Sequence, residues 1–251
     1  MVFVSFFQRH MTPTILFFGA GNMGGALLQG AIQAKVLDPA HTFVFDANDD
    51  KMDVFAKSLG VQKGIPQSCD AILLAVKPQQ VEGVFAKKKL PMNENSVLIS
   101  VLAGTSTTML KNLSGCQQIC RVMPNTPALV NAGMSGMFFT PEVSEENKIV
   151  CRNIFESCGE IVEIENEEKM HAITALSGSG PAYFFQFVEH LITAGKNMGL
   201  SEKVAQKLAA QTFIGAAELL KKSEEPPEQL RKKVTSPGGT TAAALETFVK
   251  E

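Results

Sequence analysis

Six residues near the start of the chain, Gly19-Ala20-Gly21-Asn22-Met23-Gly24, have the pattern of a phosphate cradle. The glycines allow a tight turn and let the backbone approach a pyrophosphate, while the helix that follows points its positive end at the anion. Alone the pattern is weak, but its context is stronger. Ile15-Leu16-Phe17-Phe18 reads as a strand before it, a helical stretch over 22–35 follows, and Asp46 stands 22 residues beyond Gly24 at the end of a second strand. Together these predict a dinucleotide site. A carboxylate at Asp46 would accept bonds from a ribose 2′-OH and repel a 2′-phosphate, which tilts toward NADH. With Asp46 turned away and Asn48 and Lys51 holding a phosphate, the preference would reverse, so it stays open.

Ala75-Val76-Lys77-Pro78-Gln79 stands at the carboxyl end of another apolar run, where ligands bind in open α/β sheets. Pro78 as the first residue of a helix is an equal reading. Two glycine-rich turns lie in the second half. Ser177-Gly178-Ser179-Gly180-Pro181 is expected to open a helix near Ala182, and Ser236-Pro237-Gly238-Gly239-Thr240-Thr241 to open the last one. Each would expose main-chain N–H groups at a helix N-terminus, which suits a carboxylate. Plain capping is the alternative. Serine, cysteine and histidine form no recognisable nucleophile–base set, and the histidines at 10, 41, 171 and 190 avoid the glycine-rich and strand-end motifs. An oxidoreductase without an evident general acid suits a substrate that brings its own electrophile. A protonated imine does so, because its carbon accepts hydride directly.

These motifs need a sheet to carry them. The runs 15–18, 43–45, 71–76, 97–100 and 119–122 are apolar or nearly so throughout, as strands buried on both faces of a parallel sheet are. Helical stretches over 22–35, 50–59 and 78–85 alternate with them, the doubly wound pattern. Two more runs, 137–139 and 161–164, flank a helical stretch over 144–157 and are expected to extend the sheet. Beyond about residue 165 the chain turns helical, over 182–198 and 202–222. In the second of these Val204, Leu208, Gln211, Thr212, Gly215 and Leu219 repeat at helical spacing with small residues between, which predicts close helix packing on that face. Pro226-Pro227 breaks the run. The expected fold class is α/β: an N-terminal Rossmann doubly wound sheet over 1–165, then an all-helical domain over 166–251.

Composition excludes several classes. Apolar residues make up 45% and charged residues 19%, and the net charge of −2 offers no field to attract nucleic acid. The clusters Lys87-Lys88-Lys89 and Arg231-Lys232-Lys233 are short and read as solvated surface. Cys69, Cys116, Cys120, Cys151 and Cys158 lack paired spacing, and no metal constellation appears, so free thiols in a reducing cytoplasm are expected. The apolar opening run ends at Arg9-His10 without the marks of a signal peptide, and residues 1–10 are expected to be an unstructured extension ahead of Met11. No window approaches the ~20 apolar residues that cross a bilayer.

Taken in order, the motifs resemble those of the pyrroline-5-carboxylate reductases over nearly the whole chain. The matching segments are Phe18 to Gly24, Leu74 to Pro78, Arg121-Val122-Met123-Pro124-Asn125-Thr126-Pro127, Leu176 to Tyr183 and Thr235 to Thr241. The resemblance implies NAD(P)H-dependent reduction of the C=N bond of 1-pyrroline-5-carboxylate to L-proline, the last step of proline biosynthesis. It implies that the helical domain is a dimerisation domain, with the active site between the domains and completed by a partner subunit. Ser236 and the main-chain N–H groups of Gly239, Thr240 and Thr241 would bind the substrate carboxylate. The Thr241 hydroxyl would bond the ring nitrogen and relay a proton, as the catalytic residue. The cofactor, NADP(H) or NAD(H), would be held by Gly19, Gly21, Asn22, Met23 and Gly24 and by Asn48. Ala75, Lys77 and Pro78 would touch its ribose region, and Asn125 and Pro127 its nicotinamide side. The implied assembly is a homodimer or a higher homo-oligomer such as a decamer of dimers, without membrane, metal or nucleic acid.

Two departures stand out. Family members continue past the last helix with another glycine-containing turn and a closing amphipathic helix, whereas this chain stops at Glu251, so part of the intersubunit packing is expected to be absent. An arginine or serine that many members carry for NADPH is replaced by Ala47 and Asn48. Alternatives are a reductase of another cyclic imino acid and a catalytically inactive dinucleotide-binding or sensing protein. The 6-phosphogluconate and β-hydroxyacid dehydrogenases need a lysine acid–base group, for which Lys169 is the nearest candidate; its Glu167-Glu168-Lys169-Met170 setting reads as a surface helix.

Overall fold

All four side chains of β1 (Ile15–Phe18) are buried, as an unbroken apolar strand with helices on both sides demands. Ile15 and Phe17 face one layer, with Leu27 and Leu28 of α1 (Asn22–Gln33). Leu16 and Phe18 face the opposite one. In the computed structural model that gives this architecture, residues 12–87 and 90–249 are described. The extension expected over residues 1–10, and the side chains of the lysine cluster at 87–89, lie outside them.

The chain continues through β2 (Thr42–Phe45), α2 (Asp49–Leu59), the two-residue β3 (Gln62–Lys63), β4 (Cys69–Leu74), α3 (Val81–Lys87), β5 (Met92–Ser100), α4 (Thr107–Ser114) and β6 (Ile119–Met123). After a 3₁₀ turn, Thr126–Val130, come β7 (Gly133–Phe139), α5 (Glu145–Glu156) and β8 (Gly159–Glu163). One eight-stranded sheet results, in the order β3-β2-β1-β4-β5-β6-β7-β8. Its neighbours are parallel except β6 and β7, which run antiparallel. The doubly wound expectation is met, and the runs at 137–139 and 161–164 do extend the sheet. Strand order reverses on either side of β1, and the crevice at the carboxyl ends of β1 and β4 is where such sheets bind ligands.

Local chemistry sets the helix ends. The Asn48 side chain accepts the Asp50 N–H at the start of α2, and Gly60 closes that helix at φ 75°. Ser106 and Gly115 do the same for α4, which the expected elements did not include. Ser144 caps α5. Both faces of the sheet are filled with leucine, isoleucine and phenylalanine. Truncating a fully buried one such as Leu73 to alanine would cost about 2–5 kcal/mol.

The structure divides into two compact units, the first ending at Pro181 and the second starting at Ala182. Before the division lie α6 (Met170–Ile173) and a π-helical turn, Thr174–Gly178. The second unit is helical: α7 (Gly180–Asn197) from Ala182 onward, α8 (Glu202–Lys222), α9 (Pro227–Lys233) and α10 (Thr240–Val249). Within it α7 approaches α8 through Gly195, where a Cβ would stand 3.1 Å from that of Ala205. Ala205 and Ala209 are buried there, whereas Val204, Leu208 and Leu219 are 45%, 54% and 55% exposed. The predicted close packing therefore uses the alanine side of α8 and leaves the expected stripe open. Pro226 and Pro227 not only end the preceding run; they cap and begin α9.

Candidate active site

The three glycines of the loop after β1 answer to different neighbours. Gly19 has φ +108°, a conformation that L side chains rarely adopt, and a Cβ on it would lie 2.6 Å from the Ala75 carbonyl oxygen. A Cβ on Gly24 would lie 2.1 Å from the Gly19 oxygen. These two are glycine because the chain itself leaves no room. Gly21 differs: its φ is −75° and, among the described residues, nothing stands within 4 Å of a Cβ built there. Its bareness keeps space open above the first turn of α1, whose N–H groups have no partner inside the helix. That is the fit a dinucleotide pyrophosphate requires.

Beside the loop opens a cleft of about 580 Å³, within the usual range for small-molecule sites. Gly19, Gly21, Phe45, Asp46, Lys51, Ala75 and Lys77 are among its lining residues. Lys77 precedes Pro78, which starts a 3₁₀ turn, and the Gln80 side chain accepts the Lys77 N–H at 3.2 Å. Pro78 thus begins a helical turn, and Ala75, Val76 and Lys77 before it line the cleft. Asn22 is exposed beside Gly21, in a separate groove of about 250 Å³ along α1. Met23 packs against the core, and the Asn48 side-chain oxygen caps α2. Phe45, Gln80, Gly83 and Val84 also line the cleft and escaped the sequence reading, although Phe45 is signalled by its place next to Asp46.

Asn125 has its amide fully engaged. Its oxygen accepts the Met134 N–H at 2.9 Å, and its nitrogen donates to the Ser177 carbonyl at 3.2 Å and to the Ser177 hydroxyl at 3.3 Å. It ties the end of β6 to the turn at 174–178. Pro127 starts the 3₁₀ turn after it. The Ser177–Pro181 motif is not the loop that its glycines suggest. Residues 174–178 form a π turn, and the Ser179 N–H donates to the Thr174 carbonyl at 2.8 Å, so α6 runs almost directly into α7. Gly178 lies close to Met123, whose terminal methyl would stand 2.6 Å from a Cβ there and would have to shift to admit one. This correction removes one of the two expected N-terminal anion sites.

The other site remains. Within the second unit, Gly238 at φ +70° reverses the chain and the Gly239 N–H donates to the Ser236 carbonyl at 3.1 Å. Here α10 begins, and the next helical bond is the Ala243 N–H to the Gly239 carbonyl. Gly239 thus uses its own donor to close the turn. The N–H groups of Thr240 and Thr241 belong to the first helical turn and have no acceptor within the helix. Ser236 and Thr240 are exposed, and Thr241 is half-buried.

A buried charged cluster, unseen in the sequence, supports this half of the sheet. Glu167 accepts from the Thr107 N–H at 2.8 Å, the Thr107 hydroxyl at 2.6 Å and the Arg121 guanidinium at 2.6 Å. Burial alone would push the Glu167 carboxyl up, but the Thr107 bonds and the Arg121 charge outweigh it and hold it below the usual range. The thiols behave oppositely. Burial, with the Asp70 charge, lifts Cys69 to about 12, and burial also raises Cys116, Cys120 and Cys158. All five cysteines are unbridged. Among the described residues no group of three metal-ligating side chains occurs, and no helix is long and apolar enough to cross a membrane.

Residues 167–251 match the family model for pyrroline-5-carboxylate reductase dimerisation, and residues 14–104 the model described as NADP oxidoreductase, coenzyme F420-dependent. Pyrroline-5-carboxylate reductase of Haemophilus influenzae is 38% identical over 242 residues, covering 93% of this chain and 88% of its own. That of Arabidopsis thaliana is 36% identical over 240 residues, covering 93% and 86%. Among solved structures, a pyrroline-5-carboxylate reductase from Coxiella burnetii superposes with a TM-score of 0.83 at 34% identity, covering 96% of this chain and 91% of that one. Plasmodium falciparum pyrroline carboxylate reductase with NADP bound does so at 0.82 and 35%, with the same coverages. The chain belongs to the pyrroline-5-carboxylate reductase family.

Proposed function

We propose that this chain reduces 1-pyrroline-5-carboxylate to L-proline with NADPH, closing proline biosynthesis. The observation that carries the reading is the start of α10, where Gly238 and Gly239 present the unspent N–H groups of Thr240 and Thr241 at a helix N-terminus. A carboxylate held there gains two main-chain hydrogen bonds and the favourable end of the helix dipole. The Ser236 hydroxyl adds a third donor, and Gly239 keeps the turn narrow. The Thr241 hydroxyl donates a hydrogen bond to the ring nitrogen and relays a proton to it from solvent water, regaining one as it gives one, so the imine is polarised without a histidine. Reduced nicotinamide, when bound, supplies the hydride to the C=N carbon.

The cofactor rests its pyrophosphate on Gly21, Asn22 and Met23, with Gly19 and Gly24 shaping the loop. Lys51, which lines the cleft, would meet the adenosine end together with Asn48; Ala75 and Lys77, also in its lining, would lie along the ribose with Pro78, and Asn125 with Pro127 would face the nicotinamide. Self-association belongs to the same reading. The dimerisation match and the exposed side chains of Phe184, Phe185 and Leu208 support a homodimer, on which a decamer of dimers would build. A net charge of −2 argues against nucleic acid as a partner, and five free thiols fit the cytoplasm. Loss of NADPH absorbance at 340 nm on adding 1-pyrroline-5-carboxylate, with L-proline recovered, is the expected result. No turnover with either NADPH or NADH would refute the reading.

A further inference from the structure

Asp46 occupies the position from which an acidic residue usually reads the ribose of a dinucleotide. Its side chain is only 16% exposed. One carboxylate oxygen, Oδ2, accepts the Ala20 N–H at 2.8 Å, and the other, Oδ1, accepts the Asn48 N–H at 3.0 Å. The neighbouring Phe45 carbonyl accepts the Gly19 N–H at 2.8 Å. Two successive donors of the glycine loop are therefore fastened to the end of β2, one by backbone and one by the carboxylate.

We propose that Asp46 is a positioning residue that braces the glycine loop for the pyrophosphate and takes no part in distinguishing the two ribose forms. The loop needs such a brace. Gly19 sits at φ +108°, a region glycine enters freely and also leaves freely, so its own backbone does not hold the turn. With Ala20 fastened, the next three N–H groups stay aligned at the start of α1. A negative charge so near an anion site would work against binding. Lys51, whose Nζ lies 3.9 Å from Oδ2, offsets it. The carboxylate thus acts through the loop and not on the cofactor's sugar.

The inference rests on the cofactor reading above, and the experiment separates the two. Dissociation constants of NADPH and NADH are measured from nicotinamide fluorescence, which the absence of tryptophan leaves clean. Adenosine 2′-phosphate, which has no pyrophosphate, is titrated by calorimetry. For Asp46→Ala the expected result is that NADPH and NADH weaken by the same factor, about tenfold, as befits a lost charge-assisted bond. Adenosine 2′-phosphate should bind within twofold of wild type. A variant that merely loosened the fold would weaken all three ligands, and circular dichroism at the assay temperature checks this. Asp46→Ser, which keeps one acceptor, should fall between and serves if the alanine variant does not fold. NADH weakened alone, NADPH strengthened, a changed affinity for adenosine 2′-phosphate, or no change in any ligand would each overturn the proposal. Wild type that bound neither reduced cofactor would instead overturn the cofactor reading.

Discussion

Arg121 Nη1 donates to Glu167 Oε1 at 2.6 Å, and the second Glu167 oxygen takes the Thr107 hydroxyl at 2.6 Å. Through three side chains a central strand, β6, and the start of α4 are joined to the segment where the dimerisation match begins. Arg121 is almost wholly buried, and among the described residues Glu167 is the carboxylate that compensates its charge.

Glu167→Gln should therefore lower stability by about 1–3 kcal/mol, read as a fall in the urea midpoint at pH 7. The pH dependence has a definite sign. Because the folded carboxyl lies below its ordinary value of 4.5, its contribution is complete above that value. It is lost as pH falls through the lowered folded value. Wild type and variant should thus converge in acid, and a stability gap that widened below pH 4 would contradict the assignment.

The glycine loop separates a structural requirement from a ligand requirement. Gly19→Ala must push a Cβ against the Ala75 carbonyl at a backbone angle alanine dislikes, so the fold itself should lose stability, by about 1–3 kcal/mol. Gly21→Ala meets nothing among the described residues and should leave the melting temperature within a degree or two. Yet it should weaken NADPH about tenfold or more by filling the space kept for the pyrophosphate. Thermal unfolding without ligand, alongside NADPH titration, checks both. Equal destabilisation by the two variants would sink the distinction.

What the sequence made legible is what neighbouring residues decide. The strand at 15–18, the loop at 19–24 and the helix at 202–222 could be read because apolar runs, glycine spacing and caps act within a few residues. Glu167 could not, since its partners lie 60 and 46 residues away. Asn125 is the same case: its amide joins residues 9 and 52 positions distant. Serine and glycine at 177–180 suggest a turn by composition, but Gly178 packs beside Met123 and the backbone there stays helical. The two residues of β3 carry too short a pattern to recognise. In α8 the spacing found a real apolar stripe, but spacing alone does not say whether a stripe faces its own chain.

Lys51 stands 47% exposed at the end of the cleft where Asp46 is engaged by main-chain donors. A 2′-phosphate beside it would gain a charge-assisted bond that a 2′-hydroxyl could not use. Lys51→Gln should accordingly weaken NADPH about tenfold and NADH less than threefold. The ratio of the two dissociation constants is the quantity to follow, since overall loosening would move both. A ratio left unchanged would remove Lys51 from cofactor choice and return the question to Asn48.

Thr241 is where the proposed chemistry can be tested most directly. It is half-buried in the first turn of α10, and its N–H belongs to the main chain and stays in place whatever the side chain. Thr241→Ala keeps the main-chain donors that hold the carboxylate and removes only the group proposed to bond the ring nitrogen. That should lower kcat more than tenfold, about 1.4 kcal/mol or more, with little change in the NADPH dissociation constant. Thr241→Ser restores the hydroxyl without the methyl and should recover most of the rate. A proton relay also makes the loss larger at high pH, where less of the imine arrives already protonated. Steady-state kinetics from pH 6 to 9 for the three proteins would show this divergence. An alanine variant with the wild-type rate throughout would mean that water, and not this hydroxyl, serves the nitrogen.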